Sequence, residues 1–140
     1  MVTAAQRASL EAHIRAERAG DIDAAVASLS DAPHYVIRGY VLDGTEAIRR
    51  MYEFALPNLP RENFDEYLRA LDDPQVCVWG ENHCVLEYTD DYPNHRNMVV
   101  VVHFDGDKVK SENAYCRTPE QPGMPIKEFF ADMEGVIPIN

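Results

Sequence analysis

The chain has 140 residues, enough for one core, with 46% apolar residues and a formal charge of −11. That charge, with no run of Lys or Arg to offset it, argues against nucleic acid and anionic membrane surfaces as partners. The start Met1-Val2-Thr3-Ala4-Ala5-Gln6-Arg7 lacks a basic-then-apolar leader and no stretch is long enough to span a bilayer, so a soluble, cytoplasmic protein is expected.

In chain order, Thr3 and Gln6 have capping-box spacing, and Leu10, His13, Ile14 and Glu17 mark one face of a first helix that stops at Gly20. Asp21 caps a second, shorter helix through Ile22, Val26 and Leu29, which Asp31-Ala32-Pro33 ends. His34 to Gly39 reads as a short strand. Gly44-Thr45 opens a third helix with Ile48, Met51, Tyr52 and Ala55 on one face, closed by Pro57 and Pro60.

Beyond it, strand-like runs occupy Tyr67 to Leu71, Gln75 to Trp79, His83 to Thr89, Asn97 to Phe104 and Lys108 to Cys116, with turn residues at Gly80-Glu81-Asn82, Asp90 to His95 and Asp105-Gly106-Asp107. Helices first and hairpins afterwards predict an α+β class whose last four strands form an antiparallel meander. One domain is expected over 1–140, a core at 1–117 and a tail at 118–140 that carries a short helix near Ile126 to Met133. Cys77, Cys84 and Cys116 lack Cys-x-x-Cys spacing and read as buried reduced thiols. His34, His83, His95 and His103 show no metal-ligand spacing, so no metal and no cofactor are expected.

Ala19-Gly20-Asp21-Ile22-Asp23-Ala24 and Leu42-Asp43-Gly44-Thr45-Glu46-Ala47-Ile48-Arg49 resemble the opening of SnoaL-type cyclase and ketosteroid-isomerase-like domains of the nuclear-transport-factor-two-like superfamily. Phe104-Asp105-Gly106-Asp107-Lys108-Val109, with Glu112 and Tyr115, is similar to their final hairpin. The resemblance implies a cone-shaped α+β barrel, in which a strongly curved mixed or antiparallel sheet wraps the N-terminal helices around a pocket. It also implies a homodimer, which the outer sheet face would form.

Which side chains enter that pocket depends on register. A three-residue loop at Asp105-Gly106-Asp107 pairs Phe104 with Lys108 and Val100 with Glu112, and puts Glu112, Ala114 and Cys116 on the face of Val100 and Phe104. A four-residue loop presents Ser111, Asn113 and Tyr115 instead; with His103 these match the Ser-x-Asn strand and histidines of scytalone-dehydratase-like relatives. The family's pocket positions favour the first register. Pairing Thr89 with Arg96 then turns His83, Val85, Glu87 and Thr89 inward.

The resemblance places His13 where ketosteroid-isomerase-like members carry an oxyanion-stabilising tyrosine, and Tyr52 at a supporting tyrosine. Ile37 stands where those isomerases carry their carboxylate base, Val100 replaces another acid, and the hydrolase-like Arg-x-Asp plus Asp set meets only Ala114. Neither named reaction is therefore expected. The remaining reading is metal-free general acid–base catalysis by His13, Glu112, Glu87 and Tyr52 as an isomerase, cyclase or lyase. The substrate would be a small apolar carbonyl compound bound by Tyr35, Ile37, Met51, His83, Val100, Ala114 and Cys116. The alternative is a non-catalytic ligand-binding or dimerisation module.

Overall fold

The computed structural model describes residues 3–90, 96–117 and 133–138. Helix α1 (Ala4–Ala19) starts at the expected capping box, with the Gln6 amide donating to Thr3 Oγ1 at 3.1 Å and the Thr3 amide to Gln6 Oε1 at 3.0 Å. It ends at Gly20, whose φ of 71° suits a residue without Cβ. Its buried face is Leu10, His13, Ile14 and Glu17, so a histidine and a glutamate are drawn into the core beside two aliphatic residues. Asp21 caps α2 (Ile22–Ala27) through the Ala24 amide at 3.0 Å.

Strand β1 (Leu29–Ile37) begins earlier than the sequence suggests. The Asp31-Ala32-Pro33 segment lies inside this strand instead of ending a helix, at a break in register between Leu29 and His34 that accommodates a proline. A tight turn at Arg38 (φ 51°) and Gly39 (φ 80°) leads into β2 (Tyr40–Asp43). Helix α3 (Thr45–Ala55) buries Ile48, Met51 and Tyr52 as its spacing predicts, with Ala55 half-buried and Ala47 buried in addition.

After a 3-10 turn at Leu56–Asn58, the expected strand at Tyr67 to Leu71 is instead part of helix α4 (Arg61–Asp72). Residue preference alone misleads here, since Tyr and Leu suit either state. The deciding pattern is longer: Asn63, Tyr67, Ala70 and Leu71 recur at helical spacing and face the core.

Strands β3 (Cys77–Trp79), β4 (His83–Asp90), β5 (Arg96–Asp105) and β6 (Lys108–Arg117) form the expected meander. The seven-stranded sheet runs β3-β4-β5-β6-β1-β2-β7, with β1 parallel to β6. Its last member, β7 (Val136–Pro138), shows that part of the tail returns to pair with β2. The helix expected near Ile126 to Met133 falls outside the described residues before Met133. This mixed, curved sheet around helices is the cone-shaped α+β fold. Its core joins Leu10 and Ile14 to Ile48, Leu71, Leu86 and Val102.

The β5–β6 hairpin departs from both expected loops. Asp105 pairs with Lys108 and Phe104 with Val109, closing a two-residue turn. The register then shifts between His103 and Phe104, so that Ser111 faces His103 and Glu112 faces Val102. Lys110 is the extra residue of this β-bulge, and it is exposed. Without it the two-residue turn would give Glu112 the opposite parity. Deleting Lys110 is therefore expected to force β6 to choose between its turn and its buried face, at a cost of about 2–4 kcal/mol. Urea unfolding of the deletion variant measures that loss.

Candidate active site

The inner face of the sheet and helices α3 and α4 enclose a cavity of about 140 Å³. Tyr35 and Ile37 reach it from β1, Met51 and Tyr52 from α3, and Val100, Glu112, Ala114 and Cys116 from β5 and β6, all as the sequence reading expects. Among these, Glu112 carries a carboxylate. Cys77 and Cys84 are buried and Cys116 half-buried, and all three are free thiols.

Two predicted members are on the wrong side. Thr89 pairs with Asn97, not Arg96, because the connection between β4 and β5 is one residue shorter than the reading assumed. A slip of one residue reverses a whole strand: Cys84, Leu86 and Tyr88 turn inward, while His83 and Glu87 are exposed on the outer face. His83 lies there beside His103, their ring centroids 5.9 Å apart and their planes tilted by 39°. The rival set is also excluded from the cavity, since His103 and Ser111 pair on the outer face and Asn113 follows them.

His13 belongs to the site but one layer below its surface. It is 0% exposed and is not among the cavity's wall residues. The Ser28 hydroxyl donates to the Ala25 carbonyl at 2.6 Å, so Ser28 Oγ is left to accept from His13 Nδ1–H, also at 2.6 Å. The opposite nitrogen, Nε2, meets the Tyr35 and Tyr52 hydroxyls at 3.1 Å each, and those hydroxyls are 2.9 Å apart. Glu17 and Glu112 oxygens approach the same nitrogen at 3.3 and 3.5 Å.

These contacts determine the charges. Burial by itself would lower the His13 pKa; the Glu17 charge first, then the close approach of the Glu112 and Glu17 carboxylates, outweighs it and raises the imidazole from 6.5 to about 10. His13 is thus a buried cation at neutral pH. Glu112 is raised above the usual carboxylate range, chiefly by burial and then by the Glu17 charge, while His13 and Tyr67 oppose the shift. Burial, followed by the nearby carboxylates, keeps Tyr35 and Tyr67 protonated; for Tyr52 it is burial and then Glu17.

His13, Glu17 and Glu112 offer one nitrogen and two carboxylates within 4.8 Å of one another, donor types that suit a divalent cation. The Tyr35 and Tyr52 hydroxyls crowd the same nitrogen.

Helix α4 supplies what the sequence reading missed. Asn63, Phe64 and Tyr67 line the cavity, as do Glu17 of α1 and Tyr88 of β4. Glu17 was visible on the core face of the first helix, and the spacing Asn63 to Tyr67 was the available signal for the other wall. Asn63 Nδ2, Tyr67 Oη and Glu112 Oε2 are buried with no hydrogen-bond partner among the described residues.

No family model matches the sequence, and no curated protein matches it either. Solved structures do share its architecture. An NTF2-like protein of unknown function from Cytophaga hutchinsonii is 13% identical, with a TM-score of 0.58 over 84% of this chain and 92% of that one. A protein from Kribbella flavida described as a proposed ketosteroid isomerase is 10% identical, with a TM-score of 0.61 over 87% of this chain and 84% of its own. A further NTF2-like protein of unknown function, from Burkholderia xenovorans, is 20% identical, with a TM-score of 0.55 over 89% and 91%. The chain therefore has the nuclear-transport-factor-two-like fold. At these identities the likeness is one of fold, and the reaction has to be argued from the site. Among the described residues no helix is long and apolar enough to cross a membrane.

Proposed function

We propose that the protein is a small-molecule isomerase, cyclase or lyase that works by proton transfer, with Glu112 as the base. The observation that carries this is a carboxylate of raised proton affinity on the wall of a largely apolar cavity, backed by a buried imidazolium. A carboxylate so placed shares its affinity range with working general bases.

In the step, the C–H bond next to a substrate carbonyl breaks and its proton goes to Glu112. The electron pair moves into a new C=C bond, leaving negative charge on the carbonyl oxygen. Neutral Tyr67 is a buried donor on the cavity wall for that oxygen, with the Asn63 amide one helical turn away on the same face. Return of the proton to another carbon gives isomerisation, attack of the enolate on a second carbonyl gives ring closure, and loss of a β-hydroxyl as water gives a lyase. His13 touches no substrate. It acts through Glu112 and the Tyr35–Tyr52 pair as a positioning residue.

The test is exchange in D2O: aryl and cyclic ketones are incubated with the protein and their α-CH signals followed by NMR. Exchange about 10²-fold or more above buffer is expected, rising with pH as Glu112 ionises. Ketones that bind without exchanging would instead establish a binding module, and a panel that neither binds nor exchanges removes the cavity reading. A second role, self-association, is favoured by the outer face, where Val78 is 66% and Tyr115 54% exposed beside Val85 and Val99. Light scattering should then report a dimer that Val78→Lys weakens.

A further inference from the structure

A second cavity, of about 260 Å³, adjoins the first and shares four wall residues with it: Glu17, Leu56, Leu59 and Phe64. The rest of its wall includes Arg18, from the last turn of α1, and Arg61, which opens α4. Apolar and aromatic groups dominate the first cavity, which carries one arginine, Arg38, whereas the second brings two guanidinium groups to its edge.

Those two cations are not equivalent. Arg18 uses one edge, donating from Nε to Asp65 Oδ1 at 2.6 Å and from Nη2 to Oδ2 at 3.2 Å, which leaves the Nη1 hydrogens uncommitted. Arg61 is exposed and makes no ion pair or hydrogen bond among the described residues. In a chain with 24 acidic and 13 basic residues, Arg7, Arg18, Arg49, Arg50 and Arg69 all hold acidic partners, and Arg61 does not. Here it stands at the rim of a space that shares four wall residues with the acid–base site.

We propose that the two cavities form one ligand site, in which Arg61 and Arg18 receive the carboxylate of a small keto acid whose apolar, carbonyl-bearing body extends to Glu112. The inference rests on the cavity being a ligand site, as proposed above, and adds the charge of the ligand. A planar carboxylate suits the fork of a guanidinium better than a neutral head does. Local cations are also what an anion needs here, because the net charge of −11 repels it at longer range. Arg61 is the better probe of the two, since replacing Arg18 would also break the link to Asp65 between α1 and α4.

Calorimetric titration with 4-oxo-4-phenylbutanoate and its primary amide separates the possibilities. The acid is expected to bind about tenfold more tightly than the amide at low ionic strength, and less so in salt. In Arg61→Gln that preference should disappear while amide binding is unchanged, and Arg61→Lys should restore part of it. Equal binding of acid and amide, or an undiminished preference in Arg61→Gln, overturns the anion subsite and leaves the cavity reading standing. Failure of both compounds to bind overturns the two together.

Discussion

Glu112→Gln is expected to leave the protein folded and to lower α-proton exchange about 10²- to 10⁴-fold, the usual span for loss of a general base. Glutamine keeps the shape and much of the hydrogen-bonding capacity of the side chain but cannot take up a proton in the working range. Glu112 is only 8% exposed, and burial already disfavours its charged form, so removing that charge spares a desolvation cost. His13 keeps Glu17 as its counter-charge, 3.3 Å away. The melting temperature should therefore change little, whereas exchange should collapse. Glu87→Gln is the matched control, because its side chain is exposed on the opposite face of the sheet. Wild-type exchange in Glu112→Gln, measured on the same ketones, would remove this residue from the chemistry.

The contrast between these two glutamates also shows where the sequence is legible. Local signals held: Thr3 and Gln6 cap α1 reciprocally, Gly20 ends it, and Met51 and Tyr52 lie on the buried face of α3. Inward orientation of Glu112 was reached through an incorrect pairing, since Val102, not Val100, is its partner. A bulge at Lys110 and a shorter turn compensate each other in parity, and neither leaves a distinct mark in composition. Glu87 failed for the complementary reason: one residue in the β4–β5 connection decides the face of all of β4, and nothing within the strand encodes that length.

A misread helix had the larger functional consequence. Taking Tyr67 to Leu71 as a strand hid the wall of the cavity that carries Asn63, Phe64 and Tyr67. Segments of five residues rich in Tyr and Leu fit either period, and only the wider window from Asn63 to Leu71 separates them. The depth of His13 was equally out of reach, because periodicity assigns a face of a helix but not the layer that covers it. Tyr35 and Tyr52 cover it here.

His13 should make the protein lose stability as the pH rises. Its folded pKa of about 10 exceeds the ordinary 6.5, so between those values the folded state holds a proton that the unfolded state releases. Its contribution is complete below pH 6.5 and is lost as the pH climbs through 10. Glu112 adds to the same trend, since a carboxylate raised by burial stabilises the fold below its ordinary range and loses that contribution as it ionises. At 1.36 kcal/mol per pKa unit, the His13 contribution is at most about 5 kcal/mol. Urea unfolding from pH 6.5 to 9 should show a free energy that falls throughout in the wild type and, in His13→Gln, one that falls only while Glu112 ionises and is flat above. That variant should also be weaker by about 3 kcal/mol at the acid end, where it leaves Glu17 and Glu112 without their cation. The same loss should raise the proton affinity of Glu112, because His13 is the strongest group now lowering it. The acid limb of the exchange profile would then move to higher pH in His13→Gln, a shift that a purely structural histidine would not produce. A wild-type stability flat across the range, or an exchange profile unmoved by the substitution, contradicts the charge assignment at the centre of the site.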